Sequence, residues 1–278
     1  MARRPYIEEP MSLLATWSSR LALFSLAVAA LSVLILRADL LETGPALATF
    51  AAALVLAGLA IVLALGAFVT IWRQGLSGLG RALRGLLLGA ALLAYPAYLG
   101  ERARQLPALH DVATDTDNPP RFEVLARQRP KDRIAYPGPA AAALQQKAYP
   151  DIVPLQLALP VRSSYEVALA VVNKHKWPVA EARPPSGVRR DAGIEATARS
   201  LLMGFRDDIV IRVTPIVGGS RIDLRSASRF GTHDLGANAA RLRSLLEEID
   251  EAAGNAPEPR PEPEPAKKPA PRRPAPKR

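Results

Sequence analysis

The sequence predicts an α-helical transmembrane anchor of three helices. An α+β domain follows, an antiparallel sheet with two helices, and then a disordered Pro-rich tail. Three observations predict this. Three long apolar blocks lie within the first hundred residues and none follows them. Short alternating stretches interleaved with two amphipathic ones come next. The segment 255–278 holds nine prolines. The divisions fall at 1–105, 106–254 and 255–278.

The apolar blocks cover about 17–36, 45–72 and 82–99. A helix needs roughly 20 apolar residues to cross a bilayer core. The middle block carries no charge between Glu42 and Arg73, enough to span with tilt. The first ends in Leu36-Arg37-Ala38-Asp39 with no small-x-small cleavage site, so it reads as an uncleaved anchor. The third is uncharged only over 85–100 and contains Pro96. Its first turn must include Ala82 and Leu83, with Arg81 and Arg84 snorkelling to the interface. Ala51, Ala52, Ala53, Gly58 and Gly66 suit close helix packing. The spans hold no Asp, Glu, Lys or His, the usual marks of a conduction path, so an anchor is the better reading than a transporter.

Flanking arginines set the orientation. Arg3, Arg4 and Arg20 precede or open the first span. The first loop has Arg37 beside Asp39 and Glu42, and the second has Arg73, Arg81 and Arg84. Basic, poor, basic places the N-terminus in the cytoplasm of a bacterial inner membrane and the main domain in the periplasm.

The chain carries 36 Lys+Arg against 26 Asp+Glu, but segment 106–254 has 20 basic and 18 acidic residues. The excess belongs to the membrane flanks and the tail, which removes the argument for a nucleic-acid partner. There is no cysteine, so disulfides and thiolate metal sites are excluded. Three scattered histidines make no metal cluster, and no cofactor is expected.

Within the domain, 106–150 reads as an extended, turn-rich lead-in. A strand is expected within 151–160. Ser163 and Glu166 form a capping box opening a helix that runs to about Lys174. Strands are expected over 176–183, 194–205 and 208–214, with a hairpin turn at Gly218-Gly219. The run 221–229 alternates, with Ile222, Leu224, Ser226 and Ser228 on one face and Arg221, Asp223, Arg225 and Arg229 on the other. Leu235, Ala239, Leu242, Leu246 and Ile249 recur at helical spacing, with Asp234 to cap and Gly254 to end the helix. The order β-α-β-β-β-β-α implies helices on one face of the sheet and the other face solvated or bound. Trp177 is expected as a core residue at a helix–strand junction. The tail, with Glu258, Glu262 and Glu264 ahead of its basic residues, has polyproline II character.

Two stretches are richer in special residues than a core requires. In 110–122, Asp111, Asp115 and Asp117 suggest a cation, but the bend glycine and closing glutamate of a calcium loop are missing. A turn fixed by Asn118-Pro119-Pro120 is the simpler reading. In 225–243, Asp234, Asn238 and Arg241 share one helical stripe, and Arg229 and His233 arrive at the same helix end. A helix N-terminus with arginine and serine nearby suits an anion. The simpler reading has Asp234 capping, Arg229 and Arg241 pairing, and Asn238 pinning the loop.

The stretches "TDTDNPPRF" and "RSASRFGTHDLGANAARLR" resemble the two signatures of an uncharacterised bacterial and plastid family, domain-of-unknown-function family 1499. The resemblance covers about 106–250 and brings no activity with it. It points to Asp117, Asn118, Pro119, Arg121, Ser228, Arg229, Asp234, Gly236, Asn238 and Arg241 as positions to probe. No residue is assigned a catalytic role. The expectation is an envelope protein, not an enzyme, whose domain binds a protein or anionic ligand through Asp117, Asn118, Arg121, Ser228, Arg229, Asp234, Asn238 and Arg241. The alternative is an envelope hydrolase built on Arg229, His233, Asp234 and Asn238. Expected partners are membrane lipid and an envelope protein or anionic polymer.

Overall fold

The computed structural model describes residues 10–187 and 189–255. Three helices open the chain, α1 (Leu13–Arg37), α2 (Thr43–Gln74) and α3 (Leu79–Gln105), each long and apolar enough to cross a membrane. Ser12 caps α1 by accepting the Ala15 N–H at 3.3 Å. Gly75 ends α2 in the left-handed conformation, φ 64°, which its missing side chain permits. The third helix continues through Pro96 and extends past the apolar block at both ends.

The helices meet along small residues. Ala15, Ser18, Ala22, Ser25, Ala29 and Ser32 are buried on α1 at spacings of three and four. Ala46, Ala53, Ala57, Ala60, Ala64 and Ala67 form the matching seam of α2. Small side chains let the backbones approach, and Ser18 Oγ donates to the Ala60 carbonyl at 2.8 Å. This corrects part of the sequence expectation. Ala53 lies in the seam, but Ala51 and Ala52 face outward and Gly58 has open space around it. The glycines that matter are Gly85, where a Cβ would overlap the Ser18 side chain, and Gly89, where a Cβ would stand 2.9 Å from the Ala57 carbonyl oxygen.

The domain contains β1 (Asp111–Ala113), α4 (Pro139–Ala148), β2 (Leu155–Leu157), α5 (Val161–Lys174), β3 (Val179–Arg183), β4 (Ala192–Arg199), β5 (Arg206–Ile216), β6 (Gly219–Ser228) and α6 (Ala237–Gly254). The sheet runs β1-β6-β5-β4-β3 and is antiparallel, with β2 also paired to β6. β1 and β2 share the outer edge of β6 end to end. Thr114 completes the edge between them: its N–H donates to the Leu224 carbonyl and its Oγ1 accepts the Leu224 N–H, the latter at 2.9 Å.

Alternation decides what each face carries. Ile194, Ile209, Ile211, Ile222 and Leu224 point to α5 and α6 and meet Ala168, Val172, Leu242, Leu245 and Ile249. Trp177 packs against the edge of this core, stacked on His175. The opposite face, expected to be solvated or bound, is covered in part by the chain itself. The lead-in crosses it, and Phe122 and Leu125 pack on Val210 and Ala227.

That lead-in holds more structure than its composition implied. It contains β1, two 3-10 turns at Leu125–Gln128 and Lys131–Arg133, and α4. Gln145 of α4 explains how β1 is held. Its amide accepts the Ala113 N–H at 3.0 Å and donates to the Ala113 carbonyl at 2.6 Å, as a neighbouring strand would.

Two further expectations change. The helix α5 starts at Val161 after Pro160, so Ser163 and Glu166 form no cap; Ser164 is buried and bonds Ser220 Oγ at 2.7 Å. The strand expected over 194–205 ends at Arg199, leaving a loop at 200–205. The β5–β6 turn is as read, with Gly218 at φ 82°. The basic tail and Arg3 and Arg4 lie outside the described residues.

Candidate functional site

The second signature stretch folds into a closed hydrogen-bond network. Ser226 and Ser228 sit on the helix-facing side of β6, where α6 presents Asn238 and Arg241. Asn238 Oδ1 accepts from Ser226 Oγ at 2.7 Å and Arg241 Nη1 at 2.7 Å. Its Nδ2 donates to Ser228 Oγ at 3.0 Å and to the His110 carbonyl at 3.2 Å. Arg241 Nη2 reaches Asp207 at 2.6 Å. Asn238 and Ser226 are wholly buried, so every polar atom there requires a protein partner and has one.

Asp234 accepts the N–H groups of Gly236, the N-cap residue, at 2.8 Å and of Asn238 at 2.9 Å, so its carboxylate covers the start of α6 from two residues upstream. Burial raises its pKa from the ordinary aspartate value, against the lowering effect of those bonds. His233 is also engaged. Its Nδ1 accepts the Leu235 N–H at 3.0 Å, so the hydrogen lies on Nε2, which faces the carbonyls of Ala103 and Leu106 at 3.2 Å each. The ring thus ties the start of α6 to the end of α3.

On the other face, Asp208 is fully buried between two arginines. Arg229 Nη2 lies 2.8 Å from its Oδ1 and Arg129 Nη1 2.8 Å from its Oδ2. Burial lowers the Arg129 pKa, opposed by the Asp208 carboxylate. Arg225 makes a two-pronged pair with Asp111 at 2.9 and 2.7 Å. Phe122 receives both cations on its ring, Arg129 and Arg225 each 4.7 Å from its centre.

The first signature stretch is divided between structure and surface. Asp115 accepts the N–H groups of Asp117 and Asn118 and pairs with Arg221 at 2.6 Å, so an Asx side chain bonding local backbone builds the turn. Asp117, Asn118 and Arg121 are exposed, and their side chains make no hydrogen bond or ion pair among the described residues.

The structure therefore brings Ser228, Asn238 and Arg241 together in the interior, with Asp234 beside them at the start of α6. It places Arg229 on the opposite face and leaves Asp117, Asn118 and Arg121 at the surface. Asn118 and Arg121 border a cleft of about 170 Å³ over β3, β4 and β5.

Sequence reasoning missed the floor of this cleft. The paired register places Arg183, Gly193, Arg212 and Asp223 in one row and Glu181, Glu195 and Val210 in the next. Gly193 leaves room for the Arg183 guanidinium, 3.0 Å from where a Cβ would stand. Arg183 pairs with Asp191 at 3.1 Å, but its buried Nε has no hydrogen-bond partner among the described residues. Glu195 is saturated by the N–H groups of Glu123, Val124 and Leu125. Glu181 joins no ion pair among the described residues; burial, with Glu195 and Glu123 nearby, raises its pKa. The polar parity of 179–183 and 192–199 is the signal that could have found this floor.

A second cleft of about 660 Å³ lies between the 114–117 turn, the end of α4 and segment 150–156. It is lined by Asp117, Gln146, Gln156 and Arg221.

Comparison with protein families matches residues 111–249 to a model described as a protein of unknown function (DUF1499). The match takes in the sheet, α5, nearly all of α6 and both signature stretches, and leaves the three membrane helices outside. Comparison with curated proteins finds no match.

Proposed function

The chain belongs to the DUF1499 family of proteins of unknown function, and from that premise we propose that it is a membrane-anchored binding protein of the bacterial envelope. Its domain takes an anionic group, carboxylate or phosphate, of a ligand or envelope partner in the cleft beside Arg121 and Arg183. The observation that carries this reading is the Arg183 Nε, a buried donor without a partner among the described residues, in a guanidinium that lies over Gly193 where any larger residue would crowd it. Arg121 stands unpaired at the rim, and a guanidinium recognises an oxyanion by two parallel bonds. Unpaired Glu181 suits a ligand that also carries a donor or cation.

The periplasmic placement is part of the proposal. The arginine pattern around the spans supports it. So does the contact between the α1–α2 loop and the domain: three crossings put both on one side. The hydrolase alternative needs a free base, whereas His233 bonds through both nitrogens and Asp234 covers the start of α6.

A photoreactive residue replacing Asn118 in the full chain, irradiated in cells, tests the reading. A discrete adduct is expected that falls tenfold or more with Arg183→Gln or Arg121→Gln. The same photoreactive residue at Glu251 should give no such adduct. An adduct from position 118 that ignores both substitutions overturns the site.

A further inference from the structure

The membrane helices are not evenly packed. α3 is pressed against its neighbours at Ala82, Gly85 and Gly89, and no residue of 90–105 is buried. The other two helices stay in contact further along, at Ala29, Ser32 and Leu36 of α1 and Ala46 and Ala53 of α2. The third helix therefore diverges toward the domain and opens a wedge of about 600 Å³. Its walls include Ala30 and Leu34 of α1, Phe50 of α2, and Ala91 and Leu92 of α3. Leu202, from the β4–β5 loop, closes the domain end. The volume falls within the roughly 300–1,000 Å³ of ligand pockets.

The wedge lies between helices of membrane-spanning length, so it opens onto hydrocarbon. Its mouth is basic. Arg37, one turn beyond Leu34, donates to the carbonyls of Ser200, Leu201 and Leu202. Arg199 and Arg206 converge on one oxygen of Asp39, each at 2.6 Å, with both arginine side chains 38% exposed. Two guanidiniums thus share one carboxylate, and Arg37 beside them bonds only carbonyl oxygens; Glu42, further along the loop, joins no ion pair among the described residues. Beside them Leu201 is 95% exposed, an apolar side chain at the level where it can enter the bilayer interface.

We propose that this wedge is a binding site for an anionic phospholipid of the leaflet on the domain's side. One acyl chain lies between α1 and α3, and the phosphate lies against Arg37, Arg199 and Arg206. Lipid explains both halves at once. The hydrocarbon-facing wedge selects a chain, and the cationic excess at its mouth complements a phosphate. The site is separate from the cleft at Arg183, and neither depends on the other.

The test uses the full chain in nanodiscs of phosphatidylcholine carrying a small fraction of phosphatidylglycerol with a diazirine in its acyl chain. Irradiation should place adducts on 26–34 and 88–95. Ala91→Trp, which fills the wedge, should cut their yield at least fivefold. Arg199→Gln with Arg206→Gln, outside the bilayer, should cut it threefold or more with helicity unchanged. The same photolipid with a phosphatidylcholine head should label these segments several-fold less. Adducts spread evenly over the outward residues Val55, Val62 and Val69, or yields insensitive to Ala91→Trp, overturn the chain site. Equal labelling by the two head groups overturns the phosphate site.

Discussion

Arg37, the last residue of the first membrane helix, donates to the carbonyl of Leu201 in the β4–β5 loop at 2.5 Å. The two residues are 164 positions apart, and the bond joins the α1–α2 loop to the domain. Around it, Arg199 also donates to the Arg37 carbonyl at 2.9 Å, and His233 grips the end of α3. The domain is thus held to the anchor at two places.

The clamp of Arg199 and Arg206 on Asp39 contributes modestly to stability, because exposed ion pairs are screened, about 0–1 kcal/mol. Its effect is positional. Asp39→Asn should leave the domain's melting temperature within a degree or two and raise proteolysis at 200–205 several-fold. The Arg199 hydrogen bond leads the causes that hold the Asp39 carboxyl below its ordinary value of 3.8. A depressed carboxylate contributes above its unfolded value and loses that contribution as pH falls through the folded one. Protection of the loop in the unsubstituted chain should therefore disappear only in strong acid.

Asn238→Ala removes the centre of the buried network and leaves Ser226, Ser228, Arg241 and the His110 carbonyl short of partners. A loss of about 2–4 kcal/mol is expected, since buried polar groups stripped of bonds cost far more than exposed ones. Urea unfolding of the full chain in detergent would measure it. Arg121→Ala should change stability by less than about 0.5 kcal/mol in the same assay.

The membrane seam separates two glycines. Gly85→Ala should weaken the three-helix bundle by about 1–3 kcal/mol, because the new methyl overlaps Ser18. Gly58→Ala should be neutral, with nothing within 4 Å of the added atom. Resistance of the bundle to mild detergent unfolding compares them directly.

Tyr136 provides a pH signature. Burial, with a smaller contribution from the Asp111 charge, pushes its pKa up to about 12, while its hydroxyl bonds Gln145 at 3.1 Å. The folded value exceeds the unfolded value of about 10, so its contribution is complete below pH 10. That contribution falls by up to about 1.4 kcal/mol per pH unit as pH rises toward 12. Tyr136→Phe should flatten this part of the stability curve.

The sequence made the fold legible where one face is apolar. The alternation of 221–229 and the helical spacing from Ala239 to Ile249 reappear as the two sides of one core. The lead-in was illegible because its structure is long-range. β1 is held by Gln145, and the turn at 123–125 by Glu195, partners 32 and up to 72 residues away. For the same reason the dense second motif suggested a site. Ser, Asn and Arg at those spacings serve ligands and buried networks alike, and only the closure of each bond within the protein tells them apart. Arg183 and Gly193 drew no attention because their meaning lies in cross-strand register.

On the proposed topology, three crossings hold the domain on the same side of the membrane as the first loop. The chain has no cysteine, so single substitutions give clean reporters. Leu40→Cys, Val217→Cys and Gln74→Cys would each be exposed in intact cells to a membrane-impermeant maleimide. Labelling of positions 40 and 217 without position 74 is the expected result. Labelling of 40 with 217 protected, or of 217 together with 74, would contradict it.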